Sequence, residues 1–223
     1  MERAEALIKI RQLTGKDLRP LADQFGVTVW KGEGKKNKGW AGHVIERYLG
    51  LPLNSSQSPN FGSWELKVVP LKRRRDGELQ VKETMAITMI DPVEVAAKEF
   101  EESHLYGKLR KAVVVSRVFE SQEETSSLLY AATQFDLDNP QVYAQIKADY
   151  DLIRSTIQTR GFSALSGSLG TLVQPRTKGA GHGSTSRAFY ARTGFVAHIL
   201  NLASPTLVTS TPSEPEPEES EAL

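Results

Sequence analysis

Glu65 and Lys67 are the two residues whose types and spacing most directly suggest chemistry. They stand two positions apart at the head of an apolar run, Glu65-Leu-Lys-Val-Val-Pro70. Successive side chains of a β-strand point to opposite faces, so a strand here brings the carboxylate and the ammonium together and turns Leu66 away. Such a pair can hold a divalent metal and a water molecule. An edge strand with a solvated Glu and Lys gives the same pattern, so the tripeptide alone decides nothing.

Glu46 is a further candidate, and it precedes this strand in a predicted helix from about Trp40 to Leu49. Trp40, Val44 and Ile45 can face the core of the protein, and Glu46 comes one position later. A carboxylate among apolar neighbours on a helix usually turns to solvent. Taken alone, Glu46 is therefore a weak candidate for chemistry.

Two basic, glycine-rich stretches are suited to contact phosphate. The first, residues 31–42, carries four lysines among glycines, and the second, residues 174–183, contains Arg176 and Lys178. Lysine and arginine in such stretches neutralise phosphate charge, and the release of counterions from DNA then supplies affinity. A solvated loop is the alternative for the first stretch. A basic hairpin turn, Arg73–Arg75, either keeps the protein soluble or contacts the DNA backbone, and we favour the second reading.

The elements that must position these residues alternate between helices and strands. Apolar periodicity predicts a small helical hairpin over residues 1–26 and a long helix over about 141–159, capped by Asp138-Asn-Pro140. The other predicted elements are a strand and basic turn after Glu65, a second strand Val81–Ile90, a helix from Pro92 to Ala97, a buried strand Ala112–Val115, a strand Leu128–Phe135, and a helix from Ser186 to near Asn201.

Composition limits the class of protein. The chain has 223 residues, 39% of them hydrophobic, which is enough for one sizeable core. It has no cysteine, which excludes disulfides and thiolate zinc sites. We found no membrane-length apolar run and no signal peptide, and we expect a cytoplasmic protein. The net charge is +1, but five glutamates lie after residue 203, so the rest carries +6. We predict one domain over residues 1–203 and a disordered acidic tail over 204–223.

Several motifs, taken in order, resemble the MutH family of mismatch-repair nicking enzymes and the related restriction endonucleases that recognise GATC. The similar stretches are Asn37-Lys-Gly-Trp-Ala-Gly42 ahead of Glu46, Pro59-Asn-Phe61, Glu65-Leu-Lys67, Ser103-His104 with Lys108-Leu109, Leu172-Val-Gln-Pro-Arg-Thr-Lys178, and Arg187-Ala-Phe-Tyr190. They span most of residues 16–201. Each stretch alone is a weak signal, but the combination is more specific because the pieces are independent and in the family's order.

This resemblance implies an α/β fold of the restriction-endonuclease type, PD-(D/E)xK, in which helices flank a mixed sheet and two lobes enclose a cleft for duplex DNA. The implied activity is Mg²⁺-dependent hydrolysis of phosphodiester bonds in double-stranded DNA at a short site, with a MutL-like mismatch-repair protein as a candidate partner. The catalytic residues it implies are Glu46, Glu65, Lys67 and Lys108. The metal ligands it implies are Glu46, Asn60 and Glu65, and the DNA-binding residues are Lys38, Arg176, Lys178 and Tyr190. Hard oxygen ligands and the absence of cysteine favour magnesium.

Asn60 departs from the family pattern, which has aspartate at this position. Asparagine offers a carbonyl oxygen to a metal but brings no negative charge, so it generally binds divalent ions less strongly. Three explanations remain: an active variant that depends on Glu46 and Glu65, an enzyme inactivated on purpose by substitution, and a natural relative that binds DNA without cutting it. We favour retained nuclease chemistry because Glu46, Glu65, Lys67 and Lys108 are all present together.

Overall fold

A computed structural model of the protein describes residues 1–30, 32–50, 62–178 and 185–202. The predictions for Asn60 and for the acidic tail concern residues outside these ranges. The helices are α1 (Arg3–Arg11), α2 (Leu18–Gln24), α3 (Trp40–Tyr48), α4 (Pro92–Ala97), α5 (His104–Leu109), α6 (Pro140–Arg160) and α7 (Thr193–Ile199). The strands are β1 (Glu65–Arg73), β2 (Leu79–Val81), β3 (Met85–Met89), β4 (Lys111–Val118), β5 (Leu129–Asp136), β6 (Val173–Thr177) and β7 (Arg187–Ala191).

A four-stranded sheet in the order β2-β1-β4-β5 forms the centre of the protein. β1 and β4 are parallel, with Glu65 paired to Ala112, while β2 and β5 run antiparallel to their neighbours. A parallel pair needs a crossover connection, and here β3, α4 and α5 supply it. The sheet is therefore mixed and carries helices on its faces, which confirms the predicted α/β class.

Both faces of this sheet are buried against hydrophobic cores. On one face, Leu66, Val113 and Val115 pack against helices α1, α2 and α3. On the other face, Val69 and Val114 pack against a core that includes α4, α5, α6 and the second sheet. Alternation along β4 explains why an unbroken Val-Val-Val run serves both cores. Glu65 and Lys67 share the second face with Val69.

A three-stranded antiparallel sheet, in the order β3-β7-β6, lies beyond this core. It corrects two predictions. The strand predicted over Val81–Ile90 is two strands, β2 and β3, which belong to different sheets because the chain leaves the first sheet between them. The helix predicted from Ser186 begins only at Thr193, because residues 187–191 form β7, the central strand of the second sheet.

The remaining helix predictions are confirmed by their caps and their packing. Asp17 begins α2 by accepting a hydrogen bond from the Arg19 N–H at 2.9 Å. Asn139 caps α6 through the N–H groups of residues 141 and 142, and Pro140 occupies the first turn. The predicted stripe of α6 is buried, at Val142, Ile146, Tyr150, Ile153 and Ile157. Of the helices described, none combines the length and the apolar character that a membrane span needs.

Candidate active site and DNA-binding surface

Glu65, Lys67 and Lys108 form a buried cluster at the start of β1. The Glu65 side chain is only 2% exposed. Its Oε1 lies 2.8 Å from Nζ of Lys67. Nζ of Lys108, which comes from α5, lies 3.1 Å and 3.3 Å from the two carboxylate oxygens of Glu65. Lys67 also donates to the carbonyl of Ile87 on β3 at 3.1 Å, so its ammonium bridges the two sheets. The predicted convergence of Glu65 and Lys67 is confirmed, and Lys108 joins them.

Burial and the neighbouring charges perturb the pKa of Lys108. Burial lowers the pKa of the Lys108 ammonium, the Glu65 carboxylate opposes that shift, and the positive charge of Lys67 adds to it. The net pKa of Lys108 lies below its ordinary value. A lysine held in this way by desolvation and by a second cation is characteristic of sites that bind or transfer a proton or stabilise an anion.

Lys178, which the sequence predicts to bind DNA, lies near enough to this cluster for its charge to act on Lys108. It follows β6, and its positive charge contributes to lowering the pKa of Lys108. The pKa of Lys178 is itself lowered, first by partial burial of its ammonium and then by the positive charge of Lys67. The residue as a whole is exposed. Lys67 and Lys108 therefore pair with the Glu65 carboxylate, and Lys178 adds a third positive charge within electrostatic range of both lysines, which suits an anionic group such as a phosphodiester.

Glu46 is buried, contrary to the usual behaviour of a carboxylate on an amphipathic helix. It is 9% exposed, and its neighbours Val44 and Ile45 are completely buried. Its helix, α3, packs against β1, the strand that carries Glu65. Burial of a charged group costs free energy unless it is paired, so a buried Glu46 beside the strand of Glu65 strengthens its candidacy.

The donor set suits a hard cation only in part. Glu46 and Glu65 offer carboxylate oxygens, the ligands that Mg²⁺ prefers. Among the described residues, however, no three His, Cys, Asp or Glu side chains are grouped closely enough to hold a metal ion. The cluster of Glu65, Lys67 and Lys108 carries one negative and two positive charges when all three are ionised, so it does not by itself attract a divalent cation. A third ligand from outside the described residues, where Asn60 lies, would have to complete the site.

Arg176 and Tyr190 form a second group on the three-stranded sheet. The Arg176 guanidinium donates to the hydroxyl of Thr84 at 2.9 Å and lies 5.9 Å from the centre of the Tyr190 ring. The two residues belong to the paired strands β6 and β7. Arg176 is exposed and Tyr190 is partly buried. These contacts hold the Arg176 guanidinium in place on the surface. A guanidinium that contacts a base edge must be oriented in this way.

Lys38 is exposed on the first basic loop, but its neighbour Lys36 is not free to reach DNA. Nζ of Lys36 lies 2.6 Å from Oε1 of Glu124, which is 1% exposed. Arg117 donates to both carboxylate oxygens of Glu124, at 2.7 Å and 3.0 Å. We call these three residues the Glu124 latch, and it ties the basic loop to the end of β4. The expectation that the loop lysines contact phosphate therefore does not extend to Lys36.

The sequence matches a known family over its central part. A family model described as "MutH: DNA mismatch repair enzyme MutH" matches residues 49–149, which include Glu65, Lys67 and Lys108. The chain is also 26% identical over 212 residues to a DNA mismatch repair protein MutH of Vibrio cholerae, covering 88% of this chain and 94% of that protein. The chain is similar to the MutH family over these residues. The resemblance predicted from the sequence is thereby confirmed.

Two further matches are restriction enzymes. The chain is 27% identical over 183 residues to the type II restriction enzyme Sau3AI of Staphylococcus aureus, covering 74% of this chain but only 37% of that enzyme. A solved complex of the restriction endonuclease MvaI with its cognate DNA covers 89% of this chain at 12% identity, with a TM-score of 0.38. The MutH proteins and Sau3AI are the two groups that the motifs indicated.

The motifs did not identify the residues that hold the turn before β6 and the first basic loop in place. Asp149 is a buried carboxylate on α6, and Arg192 and the Glu124 latch were also not singled out. One signal was available for Asp149, because it stands three positions after Ile146 and four before Ile153, on the apolar stripe of its helix. A charged residue on such a stripe is buried only if it is satisfied by specific partners.

Proposed function

We propose that this protein is a DNA endonuclease that hydrolyses phosphodiester bonds in double-stranded DNA at a short site. The observation that carries the proposal is the buried group of Glu65, Lys67 and Lys108, with Lys178 nearby. Hydrolysis of a phosphodiester needs an activated water, neutralisation of charge on the phosphate and assistance to the leaving oxygen. The Glu65 carboxylate and the ammonium groups of Lys67 and Lys108 offer these functions in a single place, and Lys178 adds positive charge near them.

Within this proposal each side chain has its own role. Lys67, held by Glu65 and by the Ile87 carbonyl, positions the attacking water. Lys108 stabilises the negative charge that develops near the scissile phosphate. Mg²⁺, bound by Glu46, Asn60 and Glu65, would act as a Lewis acid and lower the pKa of its water. Arg176 and Tyr190 would contact base edges. Lys38 and Lys178 would bind the DNA, and Lys38 would do so at the phosphate backbone of the DNA.

The proposal is tested by incubating supercoiled plasmid with the protein and Mg²⁺ or Mn²⁺, on unmethylated, hemimethylated and methylated DNA. Lys67→Ala should slow cleavage by roughly a hundredfold or more, as loss of a group acting in the transition state does. Lys72→Ala is the matched control, since it removes an exposed lysine from the same strand. Absence of nicking or cutting by the unaltered protein on every substrate would refute the proposal.

A second candidate function, favoured by Asn60, is DNA binding without cleavage. Because the cluster of Glu65, Lys67 and Lys108 has no excess of negative charge, an asparagine leaves the site without the extra negative charge that a divalent cation needs. A protein of this kind would give a salt-sensitive gel shift but no product. Appearance of cleavage in Asn60→Asp alone would show that only this charge is missing. Nicking in mismatch repair further implies a MutL-like partner, which a pull-down with such a protein would test.

A further inference from the structure

A buried carboxylate holds the turn that leads into β6. Oδ1 of Asp149 accepts a hydrogen bond from the N–H of Thr171 at 2.7 Å, and Oδ2 accepts from Leu172 and Val173 at 2.7 Å and 2.8 Å. Gln145 donates to Oδ1 at 3.0 Å. Asp149 is 2% exposed. Three consecutive backbone N–H groups thus converge on one anion, an arrangement that normally binds a phosphate or sulfate.

Arg192 holds the same turn through its carbonyl groups. Its guanidinium donates to the carbonyls of Gly170 at 3.0 Å and Gly167 at 2.9 Å, with further bonds to residues 168 and 169. Gly170 has φ +76°, and a Cβ at this position would lie 1.9 Å from the carbonyl oxygen of Val173. Asp149 therefore holds the N–H groups of the turn and Arg192 holds its carbonyl groups. Gly170 adds a backbone conformation that no other residue adopts without strain.

This double restraint acts on the strand proposed to read DNA. Val173, whose N–H is bound by Asp149, is the first residue of β6 and stands three positions before Arg176. Lys178, which directly follows the same strand, is a second DNA-binding candidate whose position depends on this register. Since side chains alternate along a strand, a slip of one residue at its start would turn Arg176 to the opposite face.

Packing alone does not account for the choice of residues. No Lys, Arg or His of the described chain forms an ion pair with Asp149, and a buried carboxylate without a counterion is costly even when it is fully hydrogen-bonded. Apolar side chains could close this part of the core at lower cost. The directional hydrogen bonds supply a defined backbone position, which apolar contacts do not.

We propose that Asp149 and Arg192 are positioning residues that set the register of β6 and so present Arg176 to DNA. This proposal rests on the proposed function, because it assumes that Arg176 contacts DNA. In this proposal neither residue contacts DNA, because Asp149 is buried and the Arg192 guanidinium is held by the carbonyls of residues 167–170. Their effect on binding passes through the DNA-binding residues that β6 presents, and this separates positioning from general stabilisation.

A double-mutant cycle tests the proposal. Asp149→Asn keeps the shape of the side chain but turns an NH₂ group toward backbone donors. We measure the Kd for a 30-base-pair duplex containing GATC by fluorescence anisotropy in EDTA, at a temperature where circular dichroism shows every variant folded. Asp149→Asn and Arg176→Ala should each weaken binding roughly tenfold. The double variant should bind within twofold of Arg176→Ala alone.

Asp17→Asn is the matched control. Asp17 also accepts backbone N–H groups, from Arg19 at 2.9 Å and Ser127 at 2.8 Å, but at the start of α2. It should leave the Kd unchanged. Arg192→Lys, which keeps the charge but loses the planar fork, is carried through the same cycle and serves alone if Asp149→Asn does not fold.

The outcomes separate the two proposals. If the unaltered protein shows no salt-sensitive binding, or if Arg176→Ala binds normally, the proposed reading role fails and the positioning role fails with it. If Arg176→Ala weakens binding but Asp149→Asn and Arg192→Lys behave like Asp17→Asn, only the positioning proposal is overturned. With Lys178→Ala in every protein of the cycle, so that Arg176 alone reports the register of β6, effects that multiply in the double variants would also overturn it.

Discussion

Replacement of Glu124 by glutamine removes the negative charge from the Glu124 latch while keeping its shape. In the folded protein the carboxylate pairs with the Arg117 guanidinium at 2.7 Å and the Lys36 ammonium at 2.6 Å. The side chains of Glu124 and Arg117 are only 1% and 7% exposed. The substitution therefore leaves a buried guanidinium without a counterion. Arg117 keeps a hydrogen bond to Ser127 at 2.8 Å and lies 5.1 Å from the Trp40 ring.

The expected loss of stability follows from this burial. Removing one partner of a buried ion pair costs about 3 to 5 kcal/mol, and Glu124→Gln should fall near 3 kcal/mol because the amide retains an acceptor. For a chain of this size that corresponds to a Tm lower by roughly 6 to 12 °C. Urea unfolding at pH 7, followed by circular dichroism, measures the change in the free energy of unfolding.

The pH dependence gives a second test of the same reasoning. Burial acts to raise the pKa of Glu124, but hydrogen bonds from Arg117 and Lys36 hold that pKa below its ordinary value of 4.5. Its contribution to stability is therefore present above pH 4.5 and is lost as the pH falls through the lower folded pKa. The stability difference between the unaltered protein and Glu124→Gln should shrink over that acid range.

Glu5→Gln is the control, because Glu5 pairs with Lys9 on the surface of α1 and its side chain is 54% exposed. It should leave the free energy of unfolding unchanged within error. A loss below about 1 kcal/mol for Glu124→Gln, or a difference that persists unchanged at low pH, would refute the argument that the latch is a buried ion pair.

Three further predictions follow from single contacts. Gly170→Ala should destabilise the protein by about 2 kcal/mol or more in urea unfolding, because of its positive φ and the close carbonyl. Normal stability would contradict the described turn. Lys38→Ala should lower the slope of log Kd against log salt by about one, while Lys36→Ala should leave it unchanged, and equal slopes would contradict the pairing of Lys36. Tyr150→Phe should cost about 1 kcal/mol in thermal unfolding, because its hydroxyl donates to the Lys98 carbonyl at 3.0 Å, and no change would contradict that bond.

Local patterns predicted much of the fold, because their causes lie within a few residues. The alternation at Glu65-Leu66-Lys67 placed the two charged groups on one face, and the cap at Asn139 located the start of α6. These signals depend on backbone geometry and on side chains next to each other in the sequence. They do not depend on the rest of the molecule.

The errors arose where tertiary pairing decides the structure. The sequence predicted that residues 187–191 begin a helix. They form a central strand instead, because they pair with β3 on one side and with β6 on the other. The sequence predicted one strand over Val81–Ile90, but the two parts of this segment pair in different sheets. The pairing of β3 with β7 joins segments far apart in the sequence, so local preference could not identify it.

The candidate site shows the same division. The family resemblance supplied Glu65, Lys67 and Lys108 as a group, and the structure brings these three together. Asp149 could not be assigned its role from the sequence, because its three backbone partners lie more than twenty residues away. The predicted cleft between two lobes, the Mg²⁺ ion and the domain boundary at residue 203 stay predictions.

The single-turnover cleavage rate of Glu65→Gln tests the central claim most directly. It is measured at saturating enzyme on a duplex containing GATC, in Mg²⁺, in both the Asn60 and the Asn60→Asp proteins, with Glu78→Gln, an exposed glutamate, as control. The proposed site predicts that Glu65→Gln still binds DNA but cleaves roughly a hundredfold or more slowly, while Glu78→Gln cleaves normally. Cleavage by Glu65→Gln at the unaltered rate, or no cleavage by either the Asn60 or the Asn60→Asp protein, would contradict it.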